Sequence, residues 1–145
     1  MRGARMIGAF VAAAAVAYVA AVVFFTQQVI AKQAAVGARY TLSQQAETYL
    51  ANFTGLGLYG AVLTTGLLIG FLVGALARRF VRPLARIAYP LAGAAAVWTA
   101  ITLIETRLGG GAGVIGGARD ALGLALQCGA GALGGVVFAA LRPHS

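Results

Sequence analysis

The chain has 145 residues, of which 61% are hydrophobic and 10% charged, with a formal net charge of +8. So apolar a composition excludes an ordinary soluble domain, and the length suits one small bundle with no separate globular unit beside it. The positive charge does not point to nucleic acid, because the basic residues stand at the ends of apolar segments and do not line one polar face. Membrane topology and lipid headgroups explain it instead.

The first apolar segment covers about residues 6–30, after the basic start Met1-Arg2-Gly3-Ala4-Arg5. It continues through Val22, Val23, Phe24 and Phe25, longer than the apolar core of a cleavable signal, and reads as a signal-anchor helix. A polar stretch follows. Within it Leu42, Ala46, Tyr49, Leu50 and Phe53 recur at helical spacing, and Thr41 with Gln44 has the spacing of a capping box. The expected element is a short amphipathic helix over about 42–53, lying at the membrane interface.

The second span is expected over about 55–77, ending at Arg78-Arg79, and the third over about 84–106. Pro90 stands early in the third span and is expected to bend it, since proline removes one helical hydrogen bond. From Leu108 to Gly117 the chain is too rich in glycine to read as helix. The last span is expected over about 120–141, with Asp120 capping its start. The fold class that follows is all-α: a polytopic membrane protein with four transmembrane helices plus a short interfacial helix.

Orientation follows from counting basic residues. With both termini in the cytoplasm, that side holds Arg2, Arg5, Arg78, Arg79, Arg82, Arg86 and Arg142. The opposite side holds Lys32, Arg39, Arg107 and Arg119, offset by Glu47, Glu105 and Asp120. The asymmetry favours N-in and C-in. All but one of the 11 basic residues are arginine, and alanine and glycine abound. That bias is typical of a GC-rich bacterial genome, so the expected location is a bacterial cytoplasmic (inner) membrane.

Three groups of residues stand out. Gly66, Gly70 and Gly74 form a glycine zipper on the second span, and Gly123, Gln127, Gly131 and Gly135 a similar stripe on the last. Small residues let helix backbones approach in lipid, where no hydrophobic force drives association. Such stripes hold the bundle together or dock another subunit. Glu105, Arg107, Arg119 and Asp120 flank the third-to-fourth connection and are expected to form an interfacial charge cluster. Arg78, Arg79, Arg82 and Arg86 are expected at lipid headgroups. Trp98, in the interior of its span, should face another helix or subunit.

The chemistry available is sparse. The single cysteine, Cys128, excludes an internal disulfide, and the single histidine, His144, excludes ligation of haem by two histidines of this chain. No phosphate loop, dinucleotide fingerprint, nucleophile elbow or HExxH occurs. Neither catalysis nor a cofactor or metal is expected. Four-span multidrug exporters are similar to this chain in size, but they depend on an acid embedded in the first span, and residues 6–30 contain none. The expected function is a non-catalytic accessory or scaffold subunit of a larger inner-membrane complex, partnered by lipid and by other integral membrane subunits or a second copy of itself. The alternative is a small transporter or channel, alone or as a homo-oligomer, using Gln127, the threonines and the glycine hairpin, with Glu105 as a candidate proton or cation site.

Overall fold

The structure, a computed structural model, describes residues 2–80, 87–108, 118 and 120–142. Five helices occur among them: α1 Arg2–Ala35, α2 Leu42–Gly55, α3 Gly57–Phe80, α4 Ala88–Leu108 and α5 Ala121–Leu141. No strand occurs among the described residues. All but α2 are long and apolar enough to cross a membrane, so the protein is an all-α, multi-pass membrane protein. Backbone polar groups bonded within each helix satisfy the first demand of the lipid interior.

Helix ends follow local rules. Thr41 caps α2 through the reciprocal capping box, its hydroxyl accepting from the Gln44 amide while the Gln44 side chain accepts from the Thr41 amide. Asp120 caps α5 by accepting from Gly123 N–H at 2.7 Å. α1 is longer than the expected span and runs on through Lys32 to Ala35. At 1.5 Å per residue its 34 residues extend about 51 Å, well beyond a hydrocarbon core of about 30 Å. It stops at Gly37, whose positive φ of 93° lets Gly37 N–H and Ala38 N–H bond back to the carbonyls of Ala34 and Gln33.

α4 begins at Ala88, with residues 81–86 and the expected entry near residue 84 outside the described residues. Pro90 therefore lies in the first turn of α4, where the missing N–H costs no interior hydrogen bond. The expected cause of a bend does not apply. The glycine-rich stretch after Leu108 and the tail after Arg142 also fall outside the described residues.

α5 is the centre of the bundle, with α1 packed antiparallel on one side and α4 on the other; α3 packs on α4 and closes toward α1. Small residues set each approach. A methyl group on Gly131 would fall on the Gly93 carbonyl, and one on Gly135 on the Tyr89 carbonyl, so α4 and α5 touch backbone to backbone. Gly134 faces α1, where a Cβ would lie 2.9 Å from both the Ala13 carbonyl oxygen and the Ala17 Cβ. Ala9, Ala13, Ala17 and Ala21 form the buried stripe of α1. At the end that carries Arg5, Arg78 and Arg142, each spanning helix contributes a ring. Phe71 and Phe138 stack at 4.6 Å, with Tyr89 edge-on to both and Phe10 edge-on to Phe71.

These approaches are graded, and the grading is testable. Gly135→Ala is expected to lower stability in detergent by about 1–3 kcal/mol, because the backbone it meets cannot yield. At Gly66 an added Cβ lies 3.6 Å from the Ala96 carbonyl oxygen and 3.7 Å from the Ala100 Cβ, an ordinary contact. Gly66→Ala is therefore expected to be close to neutral. Thermal unfolding of both variants in one detergent checks the contrast.

Candidate functional site

The glycine stripe of α3 turns toward α4. A Cβ on Gly70 would lie 2.8 Å from the Ala92 carbonyl oxygen and from the Ala96 Cβ, and one on Gly74 3.0 Å from the Ala92 Cβ. The stripe on α5 is likewise used inside the chain, with Gly131 and Gly135 against α4 and Gly123 buried next to the Asp120 cap. Gly70, Gly74, Gly131 and Gly135 thus make close contacts within the bundle. Gly93 and Gly134 matter as much and carry no repeat of their own on α4 or in the stripe of α5. The four-residue spacing of Ala9, Ala13, Ala17 and Ala21 was the available signal for the α1 face, hidden by alanine elsewhere on that helix.

Gln127 is fully buried. Its carbonyl oxygen accepts from the Tyr59 hydroxyl at 2.8 Å, and its amide donates to the Ala21 carbonyl at 3.1 Å. One side chain thus ties α5 to both α3 and α1, about two turns into α5. A second link runs alongside, from Asn52 of α2 to the Thr26 hydroxyl at 2.9 Å and from that hydroxyl to the Val22 carbonyl at 2.8 Å. The Tyr18 hydroxyl donates to the Phe53 carbonyl at 2.9 Å, and the two rings meet edge to face. These bonds close polar groups on one another. Thr64 and Thr65 similarly donate to the carbonyls of Gly60 and Ala61 in the preceding turn. Cys128, beside Gln127 in sequence, is half-buried and free.

The charges between α4 and α5 are arranged differently from the expected cluster. Asp120 pairs with Lys32 at 3.2 Å, bringing the far end of α1 to the start of α5. Its carboxyl is held below the usual carboxylate range, first by the Gly123 amide and then by the Lys32 hydrogen bond. Arg119 lies outside the described residues. Glu105 is half-buried, with its Oε1 enclosed and without a hydrogen-bond partner among the described residues. Arg107 is exposed and borders an open groove of about 910 Å³ between α3 and α4, whose floor includes Gly66, Ala96 and Ala100.

At the opposite end Arg78 and Arg142 approach the buried Tyr89 ring, their guanidinium carbons 5.7 and 4.9 Å from its centre. Arg79 is exposed, and Arg82 and Arg86 lie outside the described residues. Trp98 sits midway along α4 and is 52% exposed, so no described helix covers it. Its indole N–H has no acceptor among the described residues.

No protein-family model, curated protein or solved structure matches this chain.

Two outcomes follow from the polar contacts. Tyr59→Phe is expected to cost about 1 kcal/mol by leaving Gln127 short of a donor, and Gln127→Leu to strand the Tyr59 hydroxyl in its turn. The double variant should be less destabilised than the two singles added together, as a double-mutant cycle in detergent would register. For Asp120 the folded pKa is depressed, so its contribution is present above the unfolded value of about 3.9 and lost as pH falls through the lower folded value. The gap in thermal midpoint between the wild type and Asp120→Asn is expected to hold from pH 7 to 5 and to close on acidification below about pH 4.

Proposed function

We propose that this chain is a non-catalytic accessory or scaffold subunit of a larger complex in a bacterial inner membrane, oriented with both termini in the cytoplasm. The observation that carries the reading is Trp98. An indole at mid-span, exposed on the outer face of α4 and lacking an acceptor among the described residues, is out of place against lipid chains, which cannot accept its proton. Tryptophan in contact with lipid belongs at the headgroup level. A neighbouring transmembrane helix that offers an acceptor resolves both problems. Glu105 lies two turns further along the same face of α4, which gives a partner a second polar position to meet.

The test is co-purification in mild detergent. Trp98→Ala is expected to insert normally and to lose a stoichiometric partner that the wild type retains. Retention of that partner by a folded Trp98→Ala protein would overturn the reading. Glu105 also gives the transporter alternative a foothold, because its Oε1 is enclosed and has no partner among the described residues. For a scaffold, Glu105→Gln leaves assembly intact and alters no flux. Loss of a pH-dependent flux in liposomes containing the folded variant would establish the transporter instead. Orientation is checked by Phe80→Cys in a Cys128→Ser background, which a membrane-impermeant thiol reagent should reach only after the cells are permeabilised.

A further inference from the structure

We propose that Arg78 and Arg142, gathered at Tyr89, bind the phosphate of an anionic phospholipid headgroup. Arginine in a membrane protein is commonly neutralised by a carboxylate of the same chain. Here no side-chain carboxylate can serve. The chain has three acids, Glu47 on α2, Glu105 near the end of α4 and Asp120 at the start of α5, and all three belong to the opposite end of the bundle. Arg78 closes α3 and Arg142 follows α5, so two like charges converge on one ring with no side-chain counterion within reach.

The geometry leaves donors free for an anion. A guanidinium over an aromatic ring uses its positive face there, which keeps its in-plane N–H groups for an acceptor. Arg142 spends one of them on the Tyr89 hydroxyl at 3.5 Å. Its Nε is shielded from solvent and has no hydrogen-bond partner among the described residues. The terminal N–H groups that remain can meet a phosphate oxygen with a charge-assisted bond. The planar fork of arginine suits such oxygens better than a lysine ammonium does.

Tyr89 holds the site still. Its ring is buried, edge-on to Phe138 at 5.0 Å and to Phe71 at 6.0 Å, and its carbonyl is pressed against Gly135. Exposed Leu76, Phe80 and Leu141 stand at the same end, as apolar surface for acyl chains below a headgroup. That surface favours a lipid over free phosphate as the occupant. The excess of positive charge, to which Arg5 and Arg79 add, disfavours a headgroup that carries its own cation.

The experiment titrates the purified protein in nonionic detergent with short-chain phosphatidylglycerol, short-chain phosphatidylcholine or inorganic phosphate, reading the thermal midpoint and, by native mass spectrometry, the lipid bound. Phosphatidylglycerol is expected to raise the midpoint saturably, with little response to the other two. Arg78→Gln with Arg142→Gln is expected to weaken that binding by about tenfold or more, while Arg79→Gln leaves it unchanged. If the double variant does not fold, Arg142→Lys takes its place. It keeps the charge but loses the fork, and is expected to bind more weakly with its helix content intact. Wild-type affinity in whichever of these variants folds, or an equal response to phosphatidylcholine, would overturn the proposal. An equal, competing response to inorganic phosphate would overturn the lipid assignment in favour of a free-phosphate site.

Discussion

Close approach of backbones between α4 and α5 governs the rest of the bundle. Lipid chains are as apolar as leucine, so packing in a membrane depends on how near two helices come and how well their surfaces mesh. At Gly93 against Gly131, and at Tyr89 against Gly135, no side chain separates the two helices. That contact fixes the rotation of α5 and turns its other face, through Ala130 and Gly134, toward the alanine stripe of α1. α3 then seats Gly70 and Gly74 on the alanines of α4. Because small residues line so many inner faces, much of the bulky apolar surface is left outside. Leu68, Ile69, Leu72 and Val73 on α3, and Leu91 and Leu103 on α4, are all exposed. For a chain surrounded by lipid this is the stable arrangement.

The two ends of the bundle differ chemically. At one end the rings of Phe10, Phe71, Tyr89 and Phe138 interlock across all four spanning helices, and the arginines gather above them. At the other the links are hydrogen bonds and an ion pair, through Gln127, Thr26 and the Lys32–Asp120 contact. Aromatic packing gives rigidity without polar atoms, whereas the opposite end must match each donor with an acceptor. The short amphipathic helix α2 belongs to that polar end. Phe53 and Asn52 secure it to α1, while Leu42 and Leu50 remain exposed, as suits a helix at a membrane interface.

Much of this could be read from the residues alone, and the division has a physical basis. Hydropathy reports whether a helix can live in lipid, so four spans and one amphipathic helix were plain from their apolar runs. Caps are local, so Thr41 with Gln44 and Asp120 with Gly123 were visible as spacings. The end of α1 was not, because Lys32 and Gln33 leave the hydrocarbon yet remain good helix formers, and the helix outlasts the membrane. Which way a glycine stripe faces was also hidden. Periodicity defines a face of one helix but not the helix that it meets, so Gly70 gave no hint of Ala92, nor Asp120 of Lys32. Gly93 stood alone among alanines and lacked any repeat to mark it. Trp98 was expected to meet another helix or subunit, and only the structure could show that no described helix of its own chain covers it.

The Gln127 contacts also bear on the order in which the bundle is completed. α5 is the last of the described helices in chain order, and its one buried amide reaches back 68 residues to Tyr59 and 106 to Ala21. A ribosome delivering the chain from its N-terminus therefore presents Tyr59 and Ala21 to the membrane before the group that joins them exists. Until then the Tyr59 hydroxyl must find water or a surrogate acceptor, and α1 and α3 have little contact of their own to hold them together. Arrival of α5 supplies the missing acceptor and the central packing surface in a single event. A chain truncated within α5 would consequently keep most of its spans while losing what unites them, and its unsatisfied tyrosine would mark it as unfinished.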